Sequence, residues 1–208
     1  MRKPKYDESI FFNCPFDKEY TPILNAVLFA IFDCGFVPRC TKEIDDASAI
    51  RIESIFKLID SSKYGVHDIS RTEVGHDHNL PRFNMPLELG IFLGSKKFGA
   101  KKHRTKACLI LDKKRYRYHK FISDIGGQDI ESHGNEPKKA LIKVRDWLGN
   151  KCSSPPPSGN IIWNRYQEFQ KDLPTICKKL RLDPKALTYG DYTHLVSEWL
   201  RRFLSTPD

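Results

Sequence analysis

A chain of 208 residues can bury a real core, and its make-up is that of a globular protein: 39% hydrophobic, 12% aromatic and 29% charged, with no long biased tract. The longest apolar run, 23–32, is interrupted by Asn25 and is too short to span a bilayer. The basic start "MRKPKYDE" leads into no apolar signal segment, so a soluble, cytoplasmic protein without membrane contact is expected. The net charge of +9 favours anionic partners such as nucleotides or nucleic acid, although a solvated basic surface is its commoner use.

Taken in chain order, "SIFFNCPF" (9–16) is β-rich and ends at a proline, which predicts a buried first strand. The next segment, 17–35, carries apolar residues at 20, 23, 24, 27, 28 and 31, a helical spacing with Gly35 as its stop. "FVPRC" (36–40) is a short second strand. In 43–62, Ile52, Ile55, Phe56 and Ile59 predict one buried helix face. "KYGVHDIS" (63–70) is a third strand, followed by a loop at 71–83 and a helix containing "NMPLELGIFLG". "TKACLILD" (105–112) is a fourth strand, "QDIE" (128–131) a short fifth, and 137–149 a closing helix.

Strands and helices alternating through short connections predict a flavodoxin-like, doubly wound α/β fold: a parallel sheet of about five strands with helices on both faces. We expect that domain over 1–150. Three prolines and small polar residues mark 151–160 as a linker, and 161–208 reads as a helical extension. Its apolar residues Trp163, Tyr166, Phe169 and Trp199 need a cover, either on this domain or in an oligomer. Cys14, Cys34, Cys40, Cys108, Cys152 and Cys177 form no CxxC pair, so neither a zinc module nor a disulfide scaffold is expected.

Ligands of open α/β sheets bind beyond the carboxyl ends of the strands. That edge gathers Asn13, Pro15 and Phe16 after the first strand and Arg39 after the second. Asp68, Ser70 and Arg71 follow the third, and Asp112 to Tyr118 the fourth. Glu88 opens the helix after the third strand, beside Asn84 and Met85, at the margin of a stripe formed by Met85, Leu89, Phe92 and Leu93. With Pro86 as first helical residue, Glu88 gains about 0.3–1 kcal/mol from the helix dipole, which is the bland explanation for an acid there.

The sharper explanation comes from a resemblance. "FFNCPF" resembles the first-strand motif of nucleoside 2-deoxyribosyltransferases and related nucleotide N-glycosidases, and "YGVHDIS" followed by "NMPLELGIFLG" is similar to their acid-ended strand and "ELG" helix. TIR domains share the architecture, and "RIESIFKLIDSSKYGVHDIS" resembles their helix, serine and strand ending in serine. The likeness spans roughly 9–115. It departs where "RFNMP" replaces the usual glycine turn and where the loop before it is long.

The resemblance implies Glu88 as nucleophile or cation stabiliser and Asp68 as a residue orienting the substrate. Asn13, Pro15, Phe16, Arg39, Arg51, Ser70, Arg71, Asn84 and Met85 would line the substrate. NAD or a related nucleotide would be the substrate, with no cofactor besides it and no metal. Homo-oligomerisation and a role in immunity or cell death are further implications.

Each residue also has a plainer use. Asp68 suits an Asx turn with Ser70 and Arg71, Asn13 and Phe16 a strand-to-helix turn, and Arg51 a solvated helix face. Arg39 and Arg51 could instead fork a phosphate. His76, Asp77 and His78 are too closely packed for a tetrahedral metal set and read as a loop or lid. Cys14 as a thiol nucleophile lacks a histidine partner. The basic–aromatic stretches 96–106 and 112–120 keep a second reading open, a non-catalytic module binding a nucleotide signal or nucleic acid.

Overall fold

The computed structural model describes residues 4–72 and 82–205. Five parallel strands form one sheet in the order β2–β1–β3–β4–β5: β1 (Ser9–Asn13), β2 (Val37–Arg39), β3 (Tyr64–Asp68), β4 (Ala107–Asp112) and β5 (Ile130–Ser132). Among the described residues, α1 (Thr21–Asp33), α2 (Arg51–Asp60), α3 (Asn84–Phe98) and α4 (Pro137–Gly149) flank it, and α5 (Gly159–Leu180) and α6 (Tyr189–Ser205) follow as the extension. The fold is the expected doubly wound α/β arrangement with a helical extension.

Side chains alternate across a strand, and here both faces are covered. Ile10, Phe12, Val66, Leu109 and Leu111 join the core beneath α1 and α4, whereas Phe11 packs with Ile55, Ile59 and Phe92 beneath α2 and α3. β1 ends at Asn13 rather than running on, because Pro15 brings no N–H to a ladder. α2 starts only at Arg51, and it buries Ile55, Leu58 and Ile59. Phe56 is 43% exposed, contrary to expectation, because the stripe facing the sheet follows the 55–58–59 spacing and Phe56 lies about a quarter-turn beyond it.

The extension packs back on α1. Phe29 lies 5.5 Å from Tyr166, 5.7 Å from Phe169 and 5.9 Å from Trp199 between ring centroids, and Arg165 pairs with Asp33 at 2.9 Å. The second layer has to form because α1 buries Ile23 and every residue from Ala26 to Ile31, too many for a helix covered on one side.

At the amino end of the sheet Lys106 is almost wholly buried. Its ammonium donates to the carbonyls of Ile59 (2.6 Å) and Ser62, closing the end of α2, and burial lowers its pKa to about 8. That removes it from the free basic surface expected of 96–106.

Gly65 is a tight point. A Cβ there would lie 2.6 Å from His67 Nε2 and 3.0 Å from the Phe92 ring, both fully buried. Gly65→Ala is therefore expected to cost about 1–3 kcal/mol, read as a lower midpoint in thermal unfolding. An unchanged midpoint would mean that this layer has slack.

Candidate functional site

Parallel register brings the carboxyl ends of the strands level, since Asn13 aligns with His67 and Asp112 with Ser132. Asp68, the last residue of β3, is completely buried. Tyr20 donates its hydroxyl to Asp68 Oδ2 at 2.7 Å, the Ser70 N–H donates to Oδ1 at 2.9 Å, and His133 Nε2 lies 3.0 Å from Oδ2. The Asn135 N–H donates to His133 Nδ1 at 3.0 Å, which turns the other ring nitrogen, Nε2, toward Asp68. Burial alone would raise the Asp68 pKa. His133, Ser70 and Tyr20 outweigh it and hold the carboxyl below its usual range.

A second buried network ties β1 to α3. Both protons of the Asn13 amide are committed, one to the Met85 carbonyl at 2.8 Å and one to His67 Nδ1 at 3.1 Å. His67 is buried between the rings of Phe11 and Phe92, and burial, with Lys106 nearby, drops its pKa to about 3. It is a neutral core histidine. These bonds set where α3 begins, and through it the position of Glu88.

Glu88 is only 7% exposed, and among the described residues it makes no hydrogen bond or ion pair. Burial pushes its pKa up to about 7, against the pull of Arg51. α3 starts at Asn84, two residues before Pro86, so Glu88 is the fifth helical residue and lies outside the first turn. The dipole account of this acid fails on that geometry, because the effect fades beyond the first turn and would have lowered the pKa. A buried carboxylate without a structural partner at a ligand edge is the kind of group that active sites maintain.

This pKa has a consequence for stability. The folded carboxyl titrates near 7 and an unfolded one near the usual 4.5. Between those values the folded chain keeps a proton that the unfolded chain releases, so stability is full at low pH and falls as pH rises through the window, by about 3 kcal/mol. Urea unfolding of Glu88→Gln should lack this fall between pH 5 and 8; parallel wild-type and variant curves would reject it.

The other expected residues divide. Pro15 and Met85 are buried, Phe16 is half-buried with Lys42 Nζ 5.3 Å from its ring centre, and Asn84 is exposed beside the site. Arg51 is exposed, touches Thr41 Oγ1 at 3.1 Å and acts electrostatically on Glu88. Arg39 donates its Nε to both Glu43 oxygens at 2.9 Å, and Arg71 pairs with Asp17 and Glu19, so both guanidinium groups already have acidic partners. Ser70 forms the expected Asx turn through its N–H, and its buried hydroxyl has no partner among the described residues.

The Cys14 thiol is held well above its usual range by burial and by the negative fields of Cys40, Asp68 and Glu88, which disfavours a thiolate there. His76, Asp77 and His78 lie outside the described residues. Among the described residues there is no cluster suited to a metal and no helix long and apolar enough to cross a membrane.

Three site residues were not singled out from the sequence. Tyr20 is hidden in the apolar stripe of α1. His133 follows β5, where the carboxyl-edge rule would have found it. Arg117 donates to Asp112 Oδ1, Thr72 Oγ1 and the Ile69 carbonyl, bracing the loop after β4. A cleft of about 490 Å³ near Asp33, Cys34 and Cys152 opens at the other end of the strands, and the Cys34 thiol there is pushed up to about 12 by burial. No family model, curated protein or solved structure matches this chain.

Proposed function

We propose that the chain is an N-glycosidase acting on NAD or a related nucleotide. The carrying observation is Glu88, a buried carboxylate with no hydrogen-bond or ion-pair partner among the described residues and a pKa of about 7 at the carboxyl edge of the sheet. When the bond from sugar C1 to the base nitrogen breaks, its electron pair leaves with the base and positive charge develops on the sugar. Ionised Glu88 stabilises or captures that cation, and water then adds at C1 and gives up a proton. Nicotinamide suits this chemistry because it departs as a neutral base without a general acid.

Asp68 enters as a positioning residue, since its oxygens face Tyr20, Ser70 and His133. Arg51 and Lys42 are the cations near Glu88 and Phe16 suited to phosphate. Homo-oligomerisation and a role in immunity or cell death belong to the same proposal and rest on the resemblance alone.

The test is chromatography of wild-type protein incubated with NAD and with a panel of nucleoside monophosphates. Release of free base would establish the activity and name the substrate; no release, even at high protein concentration, would reject it. The exposed basic loop around Tyr116 supports a second reading, a non-catalytic module for nucleotides or nucleic acid. Nucleic-acid affinity on that reading would fall steeply with salt as counterions are released.

A further inference from the structure

The loop after β4 holds a large aromatic residue in a costly conformation and leaves it in solvent. Tyr116 has φ 58° and ψ 6°, in the left-handed region that bulky residues avoid, and it is 70% exposed. The other non-glycine residues at positive φ have ordinary reasons: Arg181 ends α5 as a left-handed cap, and asparagine tolerates the region at 135. Tyr116 has neither, and glycine would make the same turn without strain.

The conformation is enforced from both sides. On one side the Lys113 carbonyl accepts from the Gly134 N–H at 3.1 Å. On the other, Arg117 is held by Asp112, Thr72 and Ile69, while Tyr118 is buried with Met85 and Leu89, the residues around Glu88 on α3. The backbone that carries this exposed ring is thereby fixed at the ligand edge. Beside it Lys114 and Arg115 are exposed, and neither pairs with a carboxylate among the described residues. Backbone strain kept where a rigid surround imposes it is a mark of functional sites, and an aromatic face among cations is how proteins hold bases and phosphates.

We infer that Tyr116 stacks on the nucleobase of the ligand whose sugar reaches Glu88, with Lys114 and Arg115 taking its phosphate charge. The inference rests on reading Glu88 as the carboxylate of a nucleotide site.

Calorimetric titration in the Glu88→Gln background, where turnover is removed, tests it with NAD, AMP and ribose 5-phosphate. Tyr116→Gly should weaken NAD or AMP about tenfold, the scale of one lost base stack, while Tyr116→Phe stays within about twofold. Ribose 5-phosphate, which has no base, should bind all three proteins alike. Tyr116→Gly should also unfold at a higher temperature, because it relieves the strain, so weaker binding could not be blamed on a damaged fold.

Nucleotide binding that is indifferent to Tyr116→Gly, or lost equally in Tyr116→Phe, overturns the stacking role and leaves the reading of Glu88 intact. Absence of NAD and AMP binding in every protein overturns both. Tyr116-dependent binding with turnover unaffected by Glu88→Gln would sustain the stacking role and remove the catalytic one.

Discussion

Glu88→Gln is expected to slow base release by about a thousandfold while the protein stays folded. A carboxylate about 4 Å from a developing sugar cation, at an effective dielectric near 20, contributes roughly 4 kcal/mol that a neutral amide does not. The substitution keeps size and shape, so packing around Met85 and Leu89 is preserved, and above pH 7 it removes a charge that burial disfavours. Loss of activity should therefore come with equal or greater stability, a combination that general damage does not give.

The pH profile supplies a second reading of the same group. Only ionised Glu88 stabilises the cation, so the wild-type rate should rise through about pH 7 and level off above it. Initial rates of nicotinamide or base release, measured from pH 5 to 9 beside the variant, are the check. A variant within a few-fold of wild type would take Glu88 out of the chemistry.

Asp68→Ala is expected to cost about 3–5 kcal/mol of stability, a large share of what a domain has. The Tyr20 hydroxyl and the Ser70 N–H both donate to this carboxylate and His133 Nε2 lies 3.0 Å from it, so its removal strands two donors and takes away the histidine's buried neighbour where water does not reach. The pH dependence has the opposite sign to that of Glu88. The folded pKa of Asp68 is depressed, so its contribution is complete above the ordinary aspartate range and is lost as pH falls through the folded value. Wild type should show that acid limb in urea unfolding and Asp68→Ala should not. A cost under about 1 kcal/mol would mean that the network is incidental. Tyr20→Phe, which removes one donor, should cost about 1 kcal/mol.

The strands and their parallel order were legible because period-two and period-3.6 patterns alternate along the chain with short connections. Glu88 was legible as a carboxylate inside an apolar segment. Its exact place on α3 was not, because the residue before the helix is Phe83, which offers no side-chain cap. The pairing of Arg39 with Glu43 lay within reach as a four-residue spacing, whereas Arg71 meets Asp17 across 54 residues of sequence. Asp68, Tyr20 and His133 converge through chain topology alone, and no local pattern marks a tyrosine in an apolar stripe as a hydrogen-bond donor. Phe56 shows the converse: a correct helical period still leaves the angle of the buried stripe to the sheet beneath it.

The docking of α5 and α6 on α1 sets an order of events during synthesis. The Asn25 carbonyl of α1 accepts from the hydroxyl of Tyr192, 167 residues later, and the Phe29 ring waits for Trp199. At ordinary elongation rates roughly ten seconds or more pass between the emergence of these partners from the ribosome. For most of that interval, until α5 emerges, the outer side of α1, the most apolar helix of the fold, has no cover from its own extension, and the part that α6 covers waits to the end. The nascent protein therefore passes through a stage in which its strongest association hazard is on display, and completion of α6 ends it.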